Sequence, residues 1–233
     1  MQHGLQKVRA EAAILTTSSK SHNGALAYPK LQLTADGLAC VRGGRPVFRD
    51  LSFAVMSGEM LTLVGPNGSG KSSLLRQVAG LLDIEDGSIA LSGADEDEAS
   101  VSARTLYAGH LDAVKAPLTV RENVDFWADF YGSPKAYVQR ALDGFELARL
   151  SALPADVLSA GQKKRLGLAR LLIADRPLWL LDEPTVSLDT ASIKVLGALM
   201  ATHLARGGLI LAATHVDLGI EGASQLAFGG RGT

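Results

Sequence analysis

The stretch LVGPNGSGKSSLL, residues 63–75, admits few folds. The apolar run MLTLV leads into it, as a buried strand would. Ser72 to Gly80 lead out of it with helical spacing, Leu74, Leu75, Val78 and Ala79 being apolar. Between strand and helix lie Gly65, Gly68 and Gly70. Residues without a bulky Cβ let the backbone wrap a compact anion, so that successive N–H groups point inward. The helix adds the positive end of its dipole at the same point. Gly65, Gly70, Lys71 and Ser72 have the spacing of the phosphate-binding P-loop, in the strand–loop–helix context that motif requires. Pro66, Asn67, Gly68, Ser69 and Ser73 complete the candidate cradle. In such a loop the lysine neutralises the β- and γ-phosphates of a nucleoside triphosphate, and the hydroxyl after it binds Mg²⁺. Lys71 is therefore expected to face solvent or ligand.

A metal in that position needs an acidic partner, and LWLLDEP offers one. It places Asp182 and Glu183 at the tip of an apolar strand. Two carboxylates there are costly unless paired or bound to a cation. Asp182 suits the metal, and Glu183 suits a general base that polarises the attacking water. Two acids in an ordinary strand-to-loop turn is the plainer alternative.

The order of the remaining elements defines an architecture. KLQLTADGLAC alternates like a half-buried strand, PVFRDLSFAV follows after a glycine turn, and DGSIALSG is a further strand. LTVRENVDFWADFYG is helical, with Thr119 and Glu122 at capping-box spacing. Ser133 and Pro134 suit the N-cap and first turn of a second helix running to about Glu146. SAGQKKRLGLARLLIAD reads as one helix, and PLWLLDEP, TASIKVLGALMATHLARGG and LILAATH as strand, helix and strand. Strands alternating with helices predict an α/β domain with a mostly parallel sheet. The core is expected to carry an antiparallel β part as well, and the central helices, about 111–170, to form an inserted helical subdomain.

Composition excludes several classes. A net charge of −1 gives no basic field to recruit nucleic acid. No apolar run approaches the ~20 residues that span a bilayer, so any membrane would be supplied by another chain. Cys40 is the only cysteine, which removes an internal disulfide and fits a reducing compartment. Residues 1–30 stand apart as a polar extension in which Lys7, Arg9 and Lys20 face the single acid Glu11. They fit a flexible tail, an early start codon or a transit peptide. DEDEAS, residues 95–100, reads as a solvated acidic loop.

LSAGQ, residues 158–162, resembles the signature motif of the ABC ATPases, and KKRLGLAR follows it as in that family. Ser159 and Gln162 also have capping-box spacing, so the motif can simply start a helix, and both readings can hold. SLD at 187–189 and His215 after LILAAT resemble the family's D-loop and switch histidine. The resemblance runs from about residue 31 to 220. It implies an ABC cassette over residues 31–233, a P-loop nucleoside triphosphatase using ATP and Mg²⁺. It further implies head-to-tail pairing, with Ser159 and Gly161 reaching the partner's γ-phosphate and Gln162 beside them. Glu183 and His215 would carry the hydrolysis.

Two positions depart from the family pattern. No aromatic residue lies near Arg42 to stack on adenine, so Arg42 would stack through its guanidinium or leave the base loosely held. Where most members read Y-x-P-Q, this chain reads YAGH at 107–110, which puts His110 near the metal unless it is an ordinary loop histidine. Cys40 with Arg42, and Gly109 with His110, resemble the branch of ABC ATPases that serves cytochrome c biogenesis. That branch implies multi-spanning membrane subunits as partners, at the cytoplasmic face of a bacterial inner membrane, with haem export or haem-chaperone release as the driven step. Another exporter's ATPase, or a soluble ABC ATPase, remains the alternative. A GTPase would need an Asn-Lys-x-Asp guanine reader, and none is present.

Overall fold

The computed structural model describes residues 27–93 and 100–229. The expectations for residues 1–26 and for the acidic run at 95–99 lie outside the described residues.

Three antiparallel strands form one sheet in the order β2-β1-β4, where β1 is Gln32–Arg42, β2 Arg45–Met56 and β4 Asp86–Ser92. In β1 the alternation buries Leu33 and Ala35. It then breaks at Gly37, whose φ of 58° accompanies a register shift against both neighbours. The extra residue returns Leu38 to the core side, as a β-bulge does.

Five parallel strands form the second sheet, in the order β5-β6-β7-β3-β8. They are β3 Met60–Val64, β5 Thr105–Ala108, β6 Leu178–Asp182, β7 Leu209–Ala213 and β8 Ser224–Ala227. Every residue of β6 and β7 is buried. That is why both read as unbroken apolar runs, since a parallel sheet is covered on both faces. Leu178, Leu180, Leu209 and Leu211 pack toward the antiparallel sheet and helix α1, Lys71–Val78. Trp179, Leu181, Ile210 and Ala212 pack toward the other helices.

Those helices are α2 Val120–Tyr131, α3 Ala136–Gly144, α4 Ala160–Leu168, α5 Arg170–Ile173 and α6 Thr190–Ala205. The capping box at Thr119 and Glu122 forms as expected. Two expectations need correction. Ser133 does not cap α3. Its N–H closes α2 on the Ala128 carbonyl at 2.8 Å, beyond the left-handed Gly132, and its hydroxyl donates to the Ile173 carbonyl at 2.7 Å. This is a Schellman-type end, so α3 begins later. The helix expected after LSAGQ is also not continuous. The Ala169 N–H is shared between the carbonyls of Arg165 and Leu166, and Leu172 bonds back to Ala169, so the chain tightens and divides into α4 and α5.

The far end of the sheet carries a buried histidine. His203, on α6, is 2% exposed and stacks on Trp179 with ring centroids 3.8 Å apart. Its Nε2 lies 3.0 Å from the Pro177 carbonyl, which makes that nitrogen the donor. Burial pulls its pKa down to about 4, against the weaker upward pull of the backbone hydrogen bonds. Beside it, Tyr28 donates to Asp175 at 2.7 Å and lies under the Arg206 guanidinium, which ties residue 28 to the end of α6.

Candidate functional site

The parallel strands deliver the site to their carboxyl ends. β3 ends in the glycine loop, β6 ends at Asp182, and β7 leads to His215. The loop glycines are needed there for stated reasons. Gly70 is the N-cap of α1 with φ 111°, and a Cβ on it would come within 2.6 Å of the Val47 side chain. Gly65 has φ 142°, and a Cβ on it would collide with the Phe228 carbonyl.

Lys71 lines a cleft over the loop. It is only 6% exposed, and its ammonium donates to the carbonyls of Gly65 at 2.7 Å and Pro66 at 3.0 Å. The cation braces the loop rather than extending into solvent. Ser69 Oγ is buried without a hydrogen-bond partner. A buried, unsatisfied hydroxyl is costly, and a phosphate oxygen brought to the loop would satisfy it.

This cleft has a volume of about 460 Å³. It is lined by Arg42 and Val47 of the antiparallel strands, by Asn67, Gly68, Gly70, Lys71, Ser72 and Ser73 of the loop and first helical turn, and by Asp182 and Glu183 at the end of β6. The structure thus brings together most of the residues singled out from the sequence. Arg42 is exposed at the end of β1, opposite Arg45.

Asp182 is buried, and both its oxygens are engaged. Oδ1 accepts from Ser72 Oγ at 2.8 Å, and Oδ2 accepts from the Tyr107 hydroxyl at 3.1 Å. Arg76, which also lines the cleft, donates through Nε to the Tyr107 oxygen at 3.4 Å. Burial raises the Tyr107 pKa, Arg76 opposes the rise and Asp182 adds to it, so the phenol stays protonated and can donate. Tyr107 and Arg76 escaped the sequence reading. The usable signal was the tyrosine in YAGH, which His110 overshadowed. His110 itself is exposed and is not among the residues lining the cleft. A hydroxyl and a carboxylate, both hard oxygens held in contact, are a donor set that suits Mg²⁺.

Glu183 adopts a left-handed φ of 50°, and its N–H donates to the Ala213 carbonyl at 2.9 Å. A non-glycine residue held in that region costs energy and persists only where its surroundings impose it. Its Oε1 lies 3.7 Å from His215 Nε2, with the imidazole half-exposed.

LSAGQ lies elsewhere on the chain's surface. Ser159 Oγ accepts from the Gln162 N–H at 3.2 Å, and Gln162 Oε1 accepts from the Ser159 N–H at 2.9 Å. The capping reading is therefore correct. A Cβ on Gly161 would come within 2.7 Å of the Ser187 carbonyl, so the glycine lets α4 approach the loop after β6. None of Ser159, Gly161 and Gln162 lines the cleft over the P-loop of the same chain.

A glycine loop, a buried aspartate at a strand tip and a separate signature helix define an ATP-binding cassette. The sequence model of the ABC transporter family matches residues 48–186, and the chain belongs to that family. At the level of individual proteins it is similar to the "Cytochrome c biogenesis ATP-binding export protein CcmA" of Nitrobacter winogradskyi, 52% identical over 200 residues, covering 86% of this chain and 99% of that one. The protein of the same name from Bradyrhizobium diazoefficiens matches at 52% over 200 residues with the same coverage. Among solved structures, one described as the ATP-binding subunit of an ABC transporter matches with a TM-score of 0.69 and 26% identity, covering 78% of this chain and 79% of that one. The expected α/β cassette with its antiparallel part and helical region is thus borne out. The chain is an ABC transporter ATPase subunit, and no helix among the described residues is long and apolar enough to cross a membrane.

Proposed function

We propose that this chain is the ATP-hydrolysing subunit of an ABC export complex in cytochrome c biogenesis, with Mg²⁺ as the metal. The export assignment is supported by the 52% identity to proteins of that name across 86% of the chain. Its partners on this reading are multi-spanning membrane subunits. The chain sits peripherally at the cytoplasmic face of a bacterial inner membrane, and haem handling is the driven step. The fold from residue 31 onward is the cassette, with Tyr28 just ahead of it packed on the end of α6, and about 111–170 form the helical subdomain.

The loop N–H groups, Ser69 and Lys71 would hold the β- and γ-phosphates, with Arg42 against the base. Ser72 and Asp182 would hold Mg²⁺, which when bound neutralises phosphate charge. Glu183 accepts a proton from water as the water oxygen attacks the γ-phosphorus and the bond to the bridging oxygen breaks, releasing ADP. His215 Nε2, close to the Glu183 carboxylate, orients it and contacts the released phosphate. Ser159, Gly161 and Gln162 cannot serve the loop of their own chain if they lie outside its cleft. Head-to-tail pairing would bring them to the nucleotide of a second copy, where the N–H groups at the start of α4 meet the γ-phosphate.

The observation that carries the reading is Glu183, held at a strained φ on the cleft wall beside Asp182 and Lys71. Glu183→Gln keeps the shape and removes the base. ATP should bind and stabilise a dimer while turnover falls by a factor of about 10² to 10⁴. Turnover at the parental rate would move the base to another group.

A further inference from the structure

We propose that Tyr107 is a positioning residue for the metal site, acting through Asp182, and that Gly109 is the residue that makes room for it. The inference rests on the reading of Asp182 as a metal ligand and adds a role that the strand tip alone does not supply.

The geometry is specific. Tyr107 lies on β5 opposite Leu180 of β6, two residues before Asp182. Its ring packs against the core between the sheets, and its hydroxyl reaches Asp182 Oδ2 at 3.1 Å. Arg76 donates to the same phenol oxygen at 3.4 Å, which directs the phenol hydrogen toward the carboxylate. The other carboxylate oxygen, Oδ1, takes the Ser72 hydroxyl. Ser72 donates its hydrogen there, which leaves its lone pairs free for a cation, and the Tyr107 contact lies on the opposite oxygen. Tyr107 and Ser72 therefore hold the carboxylate from its two oxygens, and Tyr107 is the one of the two that is not itself a candidate ligand.

Gly109 follows from the same arrangement. A Cβ there would lie 2.8 Å from Tyr107 Cε1 and 2.9 Å from its hydroxyl oxygen. No left-handed backbone explains this glycine, so the nearby ring does. The tyrosine and glycine of YAGH thus form one unit, and Tyr107, not His110, is the group from this segment that reaches Asp182. Tyr107 is not among the residues lining the cleft, so its effect on nucleotide must pass through the two lining groups it touches, Asp182 and Arg76, and the metal-free nucleotide affinity separates them.

The test uses the full chain, with Mn²⁺ binding followed by electron paramagnetic resonance beside a non-hydrolysable ATP analogue, and nucleotide affinity measured separately in EDTA. Removing an outer partner of a metal ligand typically weakens metal binding 10- to 100-fold. Tyr107→Phe keeps the ring and its packing. It should weaken Mn²⁺ binding by about tenfold while leaving metal-free nucleotide affinity unchanged. Gly109→Ala, which displaces the ring, should shift Mn²⁺ affinity in the same direction. Asp182→Asn is the reference. If it weakens Mn²⁺ binding and Tyr107→Phe does not, the role of Tyr107 is overturned and the metal site stands. If Asp182→Asn leaves Mn²⁺ binding intact, the metal reading of Asp182 falls and this inference falls with it.

Discussion

His203 should make this protein progressively less stable in mild acid. An ordinary histidine has a pKa of 6.5, and burial against Trp179 pulls this one down to about 4. The unfolded chain takes up a proton as pH drops through the ordinary value, while the folded chain stays neutral until the lower one. The unfolded state thus binds more protons across that window, and stability falls as pH falls. The full gap corresponds to about 3 kcal/mol, reached below about pH 4, and about 2 kcal/mol is already lost at about pH 5. That is a large share of the ~5–15 kcal/mol that holds a typical domain together. Carboxylates titrate in the same range, so the comparison must isolate one group. His203→Gln keeps a donor for the Pro177 carbonyl and does not titrate. Urea unfolding of parent and variant from about pH 7.5 to about pH 5 gives the two slopes. The variant starts from a lower stability because the ring stack is gone, but its decline with acid should be shallower by about 2 kcal/mol. Parallel declines would show that folded His203 takes up its proton over the same pH range as in the unfolded chain, and the burial argument would be wrong.

Lys71→Ala should abolish hydrolysis and weaken ATP binding, since the phosphates lose their cation; it should also loosen the loop, because two carbonyl contacts go with the side chain. Unchanged ATP turnover would refute the P-loop reading. Ser159→Arg should spare nucleotide binding by the monomer and block ATP-dependent dimerisation, checked by nucleotide titration and by light scattering; equal loss of both would leave the signature as a helix cap alone. Thr119→Ala removes one half of a capping box that does not line the cleft and should cost about 1 kcal/mol in denaturant unfolding with nucleotide affinity unchanged. A larger loss, or a change in nucleotide binding, would show that α2 is coupled to the site.

Local chemistry is what the sequence carried. The glycine loop, the apolar runs of β6 and β7 and the capping boxes at Thr119 and Ser159 are each written within a few neighbouring residues, so they can be read without a fold. The short edge strands β5 and β8 gave no such signal, because four residues show no dependable period and their pairing is decided by the strands beside them. The start of α3 was misread because the end of α2 claims Ser133 first, and that competition depends on Gly132 turning left-handed. Only the tertiary structure could decide what Asp182 touches. Ser72 is 110 residues from it in the chain and Tyr107 is 75, and both reach it because parallel strands set their carboxyl ends side by side. Gly109 shows the same division. In the sequence it carries only a family resemblance beside His110, and its reason, a tyrosine ring lying where a side chain would be, exists only once β5 is packed against β6.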